Sequence, residues 1–407
     1  MIARPDGRYI DGRKRTLLAL AVLAALIVLR DPRFVSEPRL WAEEGKVYLG
    51  YALDHGWWDS LIKPHLGYFS LTSNVAGLVA AKAVPLHLAA LITMAISFAV
   101  QFATAALVLT GGNRFAAAWS QRLVLAVGLI VFAPMETWLN SINLQFWFAA
   151  GTLYLLGQER IGRAGIAYLG AALLTGVPSL FFMPFFFLRA GLERSRGLIL
   201  LCGFALAALA VQVYALVVCD DCAAGTRFGT MLLGNLGQAL LDTFVAPFFK
   251  LPFGGPLAII ADLVLVLGFA GVAIALSLRE PRTFVWAVLP ALIYGALCIF
   301  ASLGMNGGQR YALPLVIAFF IALLRIGVTL PARWRLAPAL GLMVLHLPAF
   351  FATQDHYDAS WPSWRTEAAR ACLGGNRVLR LFPQRADNHW ELVLPESYCS
   401  VRARLAE

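Results

Sequence analysis

Two adjacent carboxylates, Glu43 and Glu44, lie in a polar stretch at 31–66 that also holds Trp41, Lys46, Tyr48, Asp54, His55, Asp59, Lys63 and His65. A carboxylate beside a substrate hydroxyl can take its proton as that hydroxyl attacks an electrophile. Neighbouring residues of a helix point about 100° apart. Only one of the pair can therefore face a given cavity squarely, while the other orients a neighbour or meets water. The plainer alternative is a solvated loop whose acids balance Arg39 and Lys46.

Other groups fit chemistry on a phosphorylated or sugar-like substrate. His65, after Lys63 and Pro64, can bind phosphate, orient a sugar, or simply be hydrogen-bonded within the fold. Asn140, Asn143 and Gln145 cluster in 135–145; amides suit sugar hydroxyls, although they also cap helices. Gly307, Gly308, Gln309, Arg310 and Tyr311 open an apolar run. The glycines permit close backbone approach, and Arg310 is a fork-shaped phosphate ligand beside an aromatic ring. A divalent metal could assist, yet the chain shows no clear cluster of oxygen ligands. A zinc site at Cys219 and Cys222 lacks a second ligand pair at metal-like spacing.

These groups must be positioned by a membrane fold. Hydrophobic residues make up 60% of the 407 and charged residues 14%, against about a quarter charged in soluble domains. Runs at 16–29, 86–109, 198–218, 256–278, 284–303 and 336–351 approach the ~20 residues of a spanning helix. Run 16–29 is short and follows basic residues, as a signal peptide would. With Arg30, Asp31, Pro32 and Arg33 directly after it and no small-residue cleavage site, a retained anchor is expected.

The net charge of +10 reports topology and not a nucleic-acid partner. Arg4, Arg8, Arg13, Lys14 and Arg15 precede the first run. Further clusters fall at Arg114/Arg122, Arg160/Arg163, Arg189/Arg194/Arg196, Arg279/Arg282 and Arg325/Arg333/Arg335, each in a short connection. That is the pattern of cytoplasmic loops under the positive-inside rule. The expectation is an all-α polytopic transmembrane bundle of about eleven helices. Its amino terminus is cytoplasmic, 31–85 is an outer loop, and the carboxyl tail is outside. Run 68–84 is expected to lie along the outer membrane surface, because counting it as a span would put Arg114 and Arg122 outside. Run 165–188 should break at Thr175, Gly176, Val177 and Pro178, since proline removes a donor and disfavours helix just before it.

The chain divides into a transmembrane region at 1–352 and a polar, aromatic outer tail at 353–407, with short strands expected at 378–382 and 390–394. The tail is too small for an independent enzyme and should cap the outer face. Cys202 and Cys298 fall within apolar runs, where cysteine behaves as a small hydrophobe. Cys219, Cys222, Cys372 and Cys399 fall in outer segments, where an oxidising compartment favours Cys219–Cys222 and Cys372–Cys399 disulfides.

In order and position these features resemble the GT-C superfamily of membrane glycosyltransferases, which includes protein mannosyltransferases and aminoarabinose transferases. The resemblance rests on several stretches in sequence. After the first helix comes the acidic pair Glu43-Glu44 with Tyr48, then His65-Leu66 leading into a surface helix. A basic turn follows, then a short helix ending at Pro134 before an outer loop. Leu173-Leu174-Thr175-Gly176-Val177-Pro178 is similar to the family's Leu-Thr-Lys-Gly-Pro stretch, and Arg310-Tyr311-Ala312-Leu313-Pro314 to its Arg-Tyr-x-x-Pro feature. The likeness covers about 15–189 well and the rest loosely. It departs in having Glu-Glu where the family has an aspartate-containing pair, and in lacking the lysine of the broken helix.

The resemblance implies transfer of a sugar from a polyprenyl-phosphate carrier to a lipid or glycan acceptor, at the outer face of the cytoplasmic membrane. Glu43 or Glu44 would be the base. Lys63, His65 and Arg310 would meet the donor phosphate, where electrostatics contribute most. Tyr48, Asn140, Asn143, Gln145, Gln309 and Tyr311 would line the substrate site. Two rivals stand beside it. A flippase of lipid-linked saccharides would need mid-membrane acids or repeats, for which Asp262, Gln101 and Gln212 are the available groups. A polysaccharide polymerase or ligase would favour paired outer arginines.

Overall fold

The computed structural model describes residues 7–218, 236, 240, 256–302, 309–351, 363–382 and 390–399. Cys219, Cys222, Gly307, Gly308 and the first part of the tail lie outside the described residues.

The described chain is mostly helical and membrane-embedded. Among the described residues, four helices are long and apolar enough to cross a bilayer: Leu86–Thr110, Arg196–Val217, Pro281–Phe300 and Gln309–Val328. At 1.5 Å per residue each reaches about 30 Å, the thickness of the hydrocarbon layer. The expected count of about eleven crossings is not supported. Trp119–Val131 and Leu144–Leu156 have 13 residues each, which is only about 20 Å of helix. In Leu144–Leu156 every residue except Gln145 is buried. A helix apolar all round reads as a span, but here it is the protein-enclosed centre of the bundle.

The interruption at 174–178 is present. Helix Arg163–Leu173 stops, Gly176 turns the chain at φ +82°, and a tight turn at Pro178–Phe182 leads into Met183–Glu193. That positive φ favours glycine, and a Cβ on Gly176 would come within 2.1 Å of Gln145 Oε1, so that side chain would have to shift. The apolar run near 68–84 forms the 12-residue helix Leu71–Lys82, about 18 Å long and too short to span. It packs on Leu86–Thr110 and on the wide helical turn Glu44–Leu49. Gly77 permits the second contact, because a Cβ there would lie 2.7 Å from the Tyr48 backbone.

Basic connections gather at one end of the bundle. Arg114 and Arg189 share Glu193 at 2.8 and 2.9 Å, Arg325 pairs with Glu280, and Arg15 lies 3.8 Å over the Trp119 ring. At the opposite end, loops 31–70 and 134–145 meet each other, and the first of them also meets the carboxyl-terminal residues. There Val378–Arg380 pairs antiparallel with Glu391–Val393, and Cys372 is disulfide-bonded to Cys399. Leu40, Leu49, Leu86 and Ala90 form one apolar cluster with Trp364, Leu379, Leu381 and Leu392. The Trp364 indole N–H also donates to the Leu86 carbonyl at 2.8 Å.

Candidate active site

The chain around Glu43 is held from two sides. Phe382 donates its N–H to the Leu40 carbonyl at 3.0 Å and accepts from the Ala42 N–H. Ala42 sits at φ 29°, a conformation a non-glycine residue holds only when its surroundings enforce it. Glu44, 2% exposed, reaches back to accept the Trp41 N–H at 2.8 Å, half of a capping box. Its other oxygen accepts the Ser141 N–H. One carboxylate thus ties the Trp41 turn to the 134–145 loop, and Glu43 is left on the wall of a cavity.

A second wall comes from the turn 65–68, whose ends exchange two backbone hydrogen bonds of 3.1 Å. Leu66 and Gly67 both have positive φ, 55° and 83°, as a primed hairpin turn requires. Phe69, just beyond it, is gripped by Gln212 of the membrane helix Arg196–Val217: each accepts from the other at 2.9 Å. The Gly176 N–H donates to the Phe69 carbonyl, so the broken helix and the turn are fixed together.

The third wall is the loop 134–145. Arg30 donates to the Ala133 carbonyl at 2.6 Å and lies 4.3 Å over the Trp138 ring. Gln101 donates to the Thr137 carbonyl at 3.0 Å. Asn140 and Asn143 both donate to the Glu136 carbonyl, at 2.6 and 2.7 Å. Leu139 stands at φ 48°, so each of the three loops carries one non-glycine residue in the left-handed region. The Glu136 carboxylate pairs with Arg310, and Tyr311 meets Phe146 edge-on at 5.2 Å.

Together these walls enclose a cavity of about 260 Å³. Its polar lining is Glu43, Asn143, Gln145 and Arg310, set among Trp41, Tyr68, Phe146, Phe181 and Tyr311. Of the residues singled out from sequence, Glu43, Asn143, Gln145, Arg310 and Tyr311 therefore share one wall-to-wall space. Glu44, Asn140 and Tyr48 stand behind it. The Tyr48 phenol is buried, and burial holds its ionisation well above the usual range. His65 and Lys63 are away from the lining. The His65 ring is buried edge-on to Tyr48 and Tyr51, each at 5.0 Å. The Lys63 ammonium lies 5.9 Å from the Tyr51 ring. Gln309 does not line the cavity either.

Glu136 is the important residue that sequence reasoning passed over. Its signal is faint: an acid within an apolar stretch, 174 positions from its arginine. Trp41, Tyr68, Phe181 and Cys298 leave no mark beyond ordinary hydrophobicity. Among the described residues, no group of three or more His, Cys, Asp or Glu could hold a metal ion.

Burial pushes the Glu44 carboxyl up to about 7, against the two N–H donors that favour its charged form. A group raised in the native state contributes stability below its unfolded value, near 4.5, and that contribution fades as pH climbs to 7. Glu44→Gln removes the titration and leaves one buried N–H without its acceptor, costing about 1–3 kcal/mol. The variant should melt lower than wild type at pH 5, with the gap narrowing towards pH 7. A gap that instead widens over that range in thermal unfolding would show Glu44 stabilised as a carboxylate.

No family model matches the chain, and no curated protein or solved structure matches it.

Proposed function

We propose that the protein is a membrane glycosyltransferase of the GT-C kind, moving a single sugar from a polyprenyl-phosphate carrier to an acceptor hydroxyl. The observation that carries the reading is the shared cavity, in which Glu43 from the first loop and Arg310 from the start of a late helix line one space with Asn143 and Gln145. Glu43 accepts the proton of the acceptor hydroxyl as its oxygen attacks the anomeric carbon. The bond from that carbon to the phosphate oxygen breaks with inversion, and the polyprenyl phosphate leaves with the electron pair. Arg310 stabilises the charge developing on the phosphate, where a preorganised cation contributes most. The two amides and the aromatic rings suit a sugar's hydroxyls and apolar face. At about 260 Å³ the space falls just below the usual range of ligand pockets, ~300–1,000 Å³, which favours one sugar over an oligosaccharide.

The proposed setting is a cytoplasmic membrane crossed about eleven times, counting shorter protein-buried segments as crossings. The arginine-rich end then faces the cytoplasm, and the cavity and carboxyl-terminal residues face outward. Carrier and membrane lipids are the partners, with a lipid or glycan as acceptor. The flippase alternative loses ground, because Gln101 and Gln212 are engaged in bracing the site loops. The polymerase or ligase alternative loses ground with a single arginine among the described lining residues.

The purified protein in lipid nanodiscs, given a panel of polyprenyl-phosphate monosaccharides and acceptor lipids, should release polyprenyl phosphate and form an inverted glycosidic bond. In sealed vesicles, movement of intact labelled carrier across the bilayer without cleavage would instead support the flippase.

A further inference from the structure

The carboxyl-terminal residues do more than fill the apolar cluster they share with the first loop. Leu381 and Phe382 lie directly against the backbone that carries Glu43. Phe382 brackets Trp41 with its two backbone hydrogen bonds, to Leu40 and from Ala42. Its ring meets the Trp41 ring at 4.8 Å, and Trp41 is itself a cavity wall. Leu381, 3% exposed, fills the place where Gly45 has no side chain; a Cβ on Gly45 would lie 2.3 Å from Leu381 Cδ2. Gly50 offers Leu392 a similar approach, at 3.2 Å.

This edge is rigid in its own right. Leu381 donates to the Trp390 carbonyl at 2.9 Å, extending the hairpin. Glu367, 5% exposed, accepts both the Arg380 N–H and its guanidinium at 3.0 Å. Cys372 and Cys399 are joined covalently. Ala42, by contrast, is strained at φ 29° and would relax if nothing held it.

We propose that Leu381 and Phe382 are positioning residues: they hold residues 40–45 in the strained turn that aims Glu43 into the cavity. The catalytic consequence rests on the glycosyltransferase reading; the docking itself does not. A misplacement of an ångström at a reacting group costs roughly 10²-fold in rate, while a donor held mainly by other walls is bound nearly as before.

The test is a wedge and its relief in the full-length protein in nanodiscs. Gly45→Ala forces a methyl into the space of Leu381, and Leu381→Ala makes room for it. The expected result for Gly45→Ala is faster amide exchange in the peptide covering 40–45, kcat lower by roughly 10²-fold, and donor KM within a few-fold. Adding Leu381→Ala should restore both exchange protection and kcat by at least about tenfold, the non-additivity of two residues in contact. If Gly45→Ala does not yield folded protein, Phe382→Ala, which keeps the two backbone hydrogen bonds and removes the ring that meets Trp41 and Arg39, is read in the same two assays. Unchanged kcat alongside loosened exchange overturns the proposal, as does a loss that Leu381→Ala fails to relieve. A wild-type protein that turns over no donor would sink the proposed function instead. The exchange measurement then decides the docking alone, and protection at 40–45 unchanged by Gly45→Ala overturns it.

Discussion

Glu43→Gln is expected to lower turnover of a polyprenyl-phosphate sugar by 10²–10⁴-fold, the usual cost of removing a general base, while donor affinity stays within a few-fold. The warrant is geometric. Glu44 spends both carboxylate oxygens on the backbone of Trp41 and Ser141, so it is committed to holding two loops. Glu43, next to it, is half-buried on the cavity wall. Glutamine keeps the shape of that wall and loses the negative charge and with it the ability to take a proton. The two acids therefore separate by assay. Glu43→Gln should fold and melt like wild type yet barely turn over, whereas Glu44→Gln should show its main effect in thermal unfolding and its pH dependence. Near-normal turnover in purified Glu43→Gln would remove this cavity from consideration as the catalytic site.

How far these residues can be read from sequence depends on how rare their chemistry is in an apolar chain. Glu43, Asn143, Gln145 and Arg310 are legible because a charged or amide group beside hydrophobic runs needs a reason to be there. Glu136 is not, since its meaning lies in a contact with Arg310 across 174 positions, and no periodicity records such a pair. Gln212 is visible as a polar residue inside an apolar helix, but its task, gripping the Phe69 backbone from a distant helix, is not. Helix existence is legible and helix role is not. Leu144–Leu156 is apolar on every face, which hydropathy cannot distinguish from a lipid-facing span. The break at Gly176 is readable from Pro178, although the positive φ of 82° that favours glycine there, and the Gln145 side chain packed against it, are facts of the folded chain. His65 shows the reverse: an ionisable residue in a promising motif whose ring is packed against two tyrosines.

Arg310→Ala is expected to weaken donor binding by about 10–100-fold, the loss of a charge-assisted hydrogen bond of roughly 1.5–3 kcal/mol to the phosphate. The ion pair with Glu136 sharpens this into a test that distinguishes ligand from brace. If Arg310 is the phosphate ligand, Glu136 competes with the donor for it. Removing the arginine then leaves Glu136 uncompensated beside the place where the phosphate must sit, so repulsion adds to the lost attraction. Glu136→Gln should consequently leave donor binding equal or tighter, and Arg310→Ala combined with Glu136→Gln should bind better than Arg310→Ala alone. Fold need not suffer in the glutamine variant, because Asn140 and Asn143 hold the Glu136 main-chain carbonyl and not its carboxylate. If instead the pair only braces the 134–145 loop against the helix beginning at Leu313, both single variants should lower thermal stability and weaken binding together. The double variant would then be no better than either. Donor titrations on the four proteins, each with a melting curve, separate the two outcomes.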